Sequence, residues 1–174
     1  MPSPTLTGSE QTIIVGIAEL AVSDNRNVIL TAHALGAGIA VSIYDPQTKI
    51  GGLLHIMLPD SSIDPAKAAA QPAMFMDSGL SALFRAASEL KAEEHRLQIC
   101  VAGGAQIMDD SGVFNVGNQN YESAIRILKG EHGLRVQAAH VGGFASRSVA
   151  LNIATGEVRL KLSGQSAEMT LWKS

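Results

Sequence analysis

The hydrophobic period changes in the middle of this chain, and that change limits what it can fold into. Between residues 72 and 92, Met76, Leu80, Leu83, Phe84, Ala87 and Leu90 recur at the i, i+4, i+7, i+8 spacing that draws one apolar stripe along a helix. Before and after, the apolar residues mostly come in short runs closed by Gly, Pro, Asp or Asn, which is how strands and turns read. Ile13, Ile14, Val15, Ile17 and Leu20 form a first strand candidate, and residues 28–31 a short second one after the turn cluster at 23–27. Residues 39–44, closed by Asp45-Pro46, and 51–58, closed by Pro59, are predicted to pair as a hairpin. Beyond the helix, residues 97–102 read as a strand, and 118–129 as a second helix with Tyr121, Ala124, Ile125 and Leu128 on its buried face. Gly130 or Gly133 ends that helix. Residues 134–141 make another strand, and 149–153 and 158–162 flank Ala154-Thr155-Gly156, a three-residue hairpin loop. Residues 169–172 add a last edge strand, and residues 1–11, without any period, read as a mobile tail before one domain at 12–174.

Strands, helix, strand, helix and strands again is not the regular alternation of a doubly wound parallel sheet. The order predicts an α+β fold with antiparallel or mixed sheets. With 174 residues, 46% of them apolar, the chain can bury one substantial core. Its formal net charge is only −3 and it has no Lys/Arg run, so nucleic acid is not an expected partner. The single cysteine, Cys100, excludes an internal disulfide. The N-terminus lacks the basic and apolar regions of a signal peptide, and no apolar run reaches the roughly 18 to 20 residues that span a bilayer. A soluble cytoplasmic protein with no membrane insertion is expected.

Four segments in order carry a likeness: residues 27–46 (NVILTAHALGAGIAVSIYDP), 51–60 (GGLLHIMLPD), 102–120 (AGGAQIMDDSGVFNVGNQN) and 141–156 (VGGFASRSVALNIATG). Together they resemble CheD, the chemoreceptor glutamine deamidase family. The resemblance implies a β-sandwich-like core flanked by about two main helices, similar to the deamidase domain of cytotoxic necrotizing toxins. It further implies deamidation of glutamine side chains on the cytoplasmic domain of chemoreceptors, binding to a CheC-like phosphatase, and no cofactor.

Covalent hydrolysis of a carboxamide needs a nucleophile, a base to activate it and donors for the oxyanion. The resemblance implies a Cys for the first role, a His for the second and a Thr that orients the His. The His of HxMLP falls at His55 and the Thr at Thr31. The family's Thr-x-Gly-x-Gly-Ser-Cys is written here as Thr31-Ala32-His33-Ala34-Leu35-Gly36-Ala37-Gly38, one residue longer. The Cys position falls on Gly38 if LGAG is matched to LGSC, or on Ala37 if counted from Thr31. Neither can attack, and residues 32–41 contain no Cys, Ser or Thr. Ser42 lies mid-strand, and Cys100 sits in an apolar strand where packing asks for a small hydrophobe. His33, Gly36, Ala37 and Gly38 are the candidate binding surface, where His33 can face His55. Two imidazoles without a third Cys, His or carboxylate make a weak metal site, and no metal is expected.

His140 stands where an acidic residue often precedes the family's Gly-Gly. Arg147 is either an ion-paired strand-end residue or part of the substrate surface. Two functions stay open: a catalytically impaired CheD-like binding protein, or an active deamidase working by a non-cysteine route such as water activated by His55. A third, a sequestering partner outside chemotaxis, has no motif of its own.

Overall fold

The computed structural model describes residues 10–106 and 115–174. Among them ten strands form two five-stranded mixed sheets. The first has the order β1-β3-β8-β9-β10 and the second β2-β5-β4-β6-β7. The strands are β1 (Gln11–Ile14), β2 (Glu19–Ser23), β3 (Val28–Leu35), β4 (Ile39–Asp45), β5 (Ile50–Ile56), β6 (Gln98–Gly103), β7 (Val136–Val141), β8 (Arg147–Asn152), β9 (Val158–Leu162) and β10 (Met169–Trp172). Between β5 and β6 come α1 (Pro65–Ala70) and α2 (Met76–Glu89), and before β7 comes α3 (Val116–Ile125), which runs into a π-helical turn at Arg126–Glu131. The α+β class and mixed sheets expected from the residue order are present.

The second sheet is a middle layer. Ile39, Val41, Ile43, Leu54 and Ile56 on one face pack with Met76, Leu80 and Leu83 of α2 and with Ala124, Ile127 and Leu128. Ala40, Tyr44, Leu53, Cys100 and Ala102 on the other face pack against Leu30, Leu35, Val149, Leu151 and Leu160 of the first sheet. Every residue of β4 and β5 is therefore buried, which is why these strands read as unbroken apolar runs. In β8 and β9 burial alternates instead, because the outer face of the first sheet meets solvent.

The first predicted strand is in fact two. β1 pairs in parallel with β3, β2 pairs antiparallel with β5, and the intervening loop passes from one sheet to the other with Ala18 at φ 63°. The predicted 39–44 and 51–58 hairpin is present, and so are the hairpin through Gly156 (φ 76°) and the edge strand β10. The tail assigned to residues 1–11 lies outside the described residues up to position 9, and Gln11 already belongs to β1.

Candidate functional site

The chain passes from the first sheet to the second between β3 and β4, and the turn Gly36-Ala37-Gly38 makes that crossing. All three of its carbonyls are held. Gly36 O accepts from Ala105 N at 2.8 Å, Gly38 O from Gly104 N at 3.0 Å, and Ala37 O from Asn120 Nδ2 at 2.9 Å. The extra residue upstream is absorbed before the turn. Between Ala32 and Leu35 the register against β8 slips by one, since these positions pair with Val149 and Arg147, and Ala34 adopts φ 56°. This is a β-bulge, which takes up one unpaired residue and lets the ladder resume.

His55 lies on β5 opposite Ala40 of β4 and Glu19 of β2, and is 3% exposed. Its Nδ1 lies 3.4 Å from the carbonyl oxygen of Val15, in the loop between β1 and β2. With Nδ1–H donating there, Nε2 is the free basic atom. Burial lowers its pKa below the ordinary imidazole value, against smaller upward pulls from the Val15 carbonyl and the Glu19 carboxylate. Nε2 is directed at Gly38: a Cβ built on that glycine would stand 3.6 Å from it. The same Cβ would lie only 2.7 Å from the main-chain oxygen of Ile56. No side chain fits at position 38 unless the backbone moves.

Two other expectations are corrected. Thr31 does not offer its hydroxyl to His55. Leu30 and Ala32 face the core, so Thr31 between them faces outward, where its Oγ1 lies 3.4 Å from Ile13 O. The group that reaches His55 Nδ1 is the Val15 carbonyl, and Thr31 connects to it only through its own carbonyl, which accepts from Val15 N at 2.7 Å. His33 is exposed on that same outer face, with Nδ1 3.4 Å from Ser148 Oγ. With Thr31 it lines a hollow of about 290 Å³ beside Ser148, Arg159, Lys161 and Glu168, so it does not meet His55.

Cys100 pairs with Ser42 in the middle of the second sheet, two residues along and two strands across from the His55 row. That separation is roughly 12 Å. Cys100 is 2% exposed, and burial pushes its thiol pKa up to about 11. Ser42 is buried beside it. Arg147 is buried without a carboxylate partner among the described residues: Nε donates to His140 Nδ1 at 2.9 Å, Nη1 to Gly103 O at 2.8 Å, and Nη2 to Gly142 O. His140 therefore accepts as a neutral ring, and burial together with the neighbouring Arg147 lowers its pKa. The residues that sequence reading missed are Val15, which acts through its backbone and leaves no signal, and Asn120. The latter stands three residues after Gly117, on one helical face with it, inside the NVGNQN stretch.

Two stacked mixed sheets, helices on one side, and a buried, oriented imidazole aimed at a glycine in the inter-sheet turn define the class of this protein. The chain belongs to the CheD family. The family model described as CheD chemotactic sensory transduction matches residues 57–162. The chain is similar to the probable chemoreceptor glutamine deamidase CheD 1 of Syntrophus aciditrophicus (strain SB), 44% identical over 152 residues, or 87% of this chain and 94% of that protein. It is 41% identical over 157 residues to the probable chemoreceptor glutamine deamidase CheD of Solibacter usitatus (strain Ellin6076), covering 90% and 92% of the two chains. It is also 34% identical over 158 residues to the chemoreceptor glutamine deamidase CheD of Thermotoga maritima, covering 91% and 96%.

Proposed function

We propose that this chain is a CheD-type chemotaxis protein that binds the cytoplasmic helices of a chemoreceptor, or a CheC-like phosphatase, without deamidating glutamine. The observation that carries this reading is the pairing of His55 with Gly38. The imidazole has Nδ1 beside the Val15 carbonyl and Nε2 aimed at a position with no nucleophile, and the Ile56 carbonyl occupies the space a side chain would need. Placing the β-bulge upstream of Leu35 supports matching Gly38, rather than Ala37, to the family's cysteine. Cys100 and Ser42 are too deeply buried, and too far along the sheet, to replace it.

The alternative, an active deamidase that uses water, is favoured by one feature: the free Nε2 of His55. Two considerations weigh against it. His55 is 3% exposed, which keeps bulk water and a protein-borne glutamine from the ring, and the loss of covalent catalysis removes the intermediate that divides one hard step into two.

Binding is tested with an immobilised receptor cytoplasmic fragment from the same genome and, separately, a CheC-like protein. The reading predicts saturable binding to one of them, and only a modest loss on His55→Gln, because groups that serve a transition state add little to ground-state affinity. No binding to either would retire it in favour of a role outside chemotaxis.

A further inference from the structure

Helix α3 meets the cleft through a face that is partly polar. The sequence places Tyr121, Ala124, Ile125 and Leu128 on the buried side, yet within α3 the buried residues are Gly117, Asn120, Ser123 and Ala124, with Tyr121 and Ile125 only partly covered. Gly117 sits so close to Gly104 that a Cβ would run into the Gly104 carbonyl oxygen, and Ser123 Oγ donates to Pro59 O at 2.8 Å. Between them, Asn120 Nδ2 donates to two main-chain carbonyls at once: Ala37 O at 2.9 Å and Met57 O at 3.0 Å.

Those two carbonyls belong to separate segments. Ala37 precedes Gly38 in the inter-sheet turn, and Met57 follows the end of β5, which carries His55. The neighbouring turn carbonyls are held by backbone amides, so among the described residues Asn120 is the side chain that ties the turn to the His55 strand. Asn120 has no exposed surface, and its Oδ1 is buried with no partner among the described residues. A buried, unpaired carbonyl oxygen is unfavourable, and the two donated bonds are what offset that cost and account for an amide here.

The geometry points to Asn120 as the positioning residue of the cleft: it sets the separation and orientation of residue 38 relative to His55 without touching the imidazole. This inference rests on the reading of Gly38 and His55 as one cleft. It requires neither binding nor chemistry there.

Nuclear magnetic resonance on the isotopically labelled full chain tests it. In the native protein the two side-chain amide protons of Asn120 exchange slowly with solvent, and the His55 nitrogens show a proton on Nδ1. Asn120→Leu keeps the volume and removes the donor. Exchange of the Gly104 and Ala105 amides then rises about tenfold or more as both donated hydrogen bonds are lost, while β8 and β9 keep their rates. The His55 nitrogen shifts move toward a tautomer mixture. Asn120→Asp separates geometry from bulk: a protonated carboxyl still donates one bond and preserves the His55 signature, and the ionised form, facing two carbonyl oxygens, loses it.

A merely structural asparagine would instead accelerate all amides together and leave the His55 signature unchanged. Either that result or rapid exchange of the native Asn120 side-chain protons, which needs no variant to fold, overturns the inference. A chain that meets these expectations but binds neither receptor nor phosphatase retires the functional reading and leaves the positioning role standing.

Discussion

His55 and Gly38 are the residues on which the account turns, and each gives a measurable consequence. Burial holds the folded-state pKa of His55 below that of the unfolded chain, so as pH falls the folded protein takes up fewer protons than the unfolded chain does. The stability His55 contributes is complete above the unfolded value near 6.5 and is lost as pH falls through the lower, folded-state value, with a slope of up to about 1.4 kcal/mol per pH unit. Urea titrations at steps between pH 7.5 and 5 should show this decline, and His55→Gln should flatten it. His140, also shifted downward, adds a second decline of the same sign that His140→Gln would remove. A profile unchanged by both substitutions would mean that neither ring is held neutral. At position 38, the 2.7 Å approach of a built Cβ to Ile56 O predicts that Gly38→Ala costs stability. Overpacking of this kind costs about 1–3 kcal/mol, read as a lower urea midpoint; an unchanged midpoint would show that the backbone yields freely. Of the site residues, His55 was legible because a motif surrounds it. The Val15 carbonyl was not, since any residue supplies one.

Among the elements, β3 carries the clearest local conflict. Its bulge puts Ala34 at φ 56°, a conformation that costs a residue with a Cβ and that glycine adopts freely. Ala34→Gly should therefore raise stability by up to about 1 kcal/mol without altering the sheets, as seen in the thermal midpoint and an unchanged amide spectrum of β8. A loss of stability would mean that the strain is absent. The bulge also explains a limit of sequence reading. A strand of residues 28–31 was expected from its short apolar run, whereas bulge pairing extends β3 to Leu35. Helix α2 and the β4–β5 hairpin were legible from periodicity and from Asp45-Pro46 and Pro59. Helix α1 was missed because its six residues are too short for a period, and its signature is only the Asp64 side chain accepting from Lys67 N with Pro65 at the first position.

At the scale of the whole molecule, three layers depend on a few buried polar ties. Asp45 at the end of β4 has no exposed surface and accepts from the amides of Gln47, Thr48 and Glu93 and from Arg96, with Nη2 at 2.7 Å. This set holds its carboxyl well below the usual carboxylate range despite burial. Asp45→Ala leaves those donors unanswered and should cost on the order of 3 kcal/mol or more in urea unfolding, with no effect on the His55 resonances at the far end of the β4–β5 hairpin. A loss below about 1 kcal/mol would contradict the assignment of Asp45 as a structural tie. The layer order itself was legible only in part. Continuous burial in β4 and β5 follows from their apolar runs, but the parallel pairings of β1 with β3 and of β6 with β7 depend on long-range contacts that no local pattern specifies.

On the proposed function, this member of the CheD family holds His55 as a base facing a position that lacks the nucleophile. Incubation of the purified full chain with a receptor cytoplasmic fragment, alongside the Thermotoga maritima relative with its own receptor fragment, decides this. Peptide mass spectrometry over time then follows the small mass gain that accompanies replacement of an amide NH2 by OH. The expected result is no time-dependent Gln to Glu conversion by this chain, under conditions in which the relative converts its substrate. Conversion that grows with time, scales with the amount of this chain and disappears in His55→Gln would contradict it.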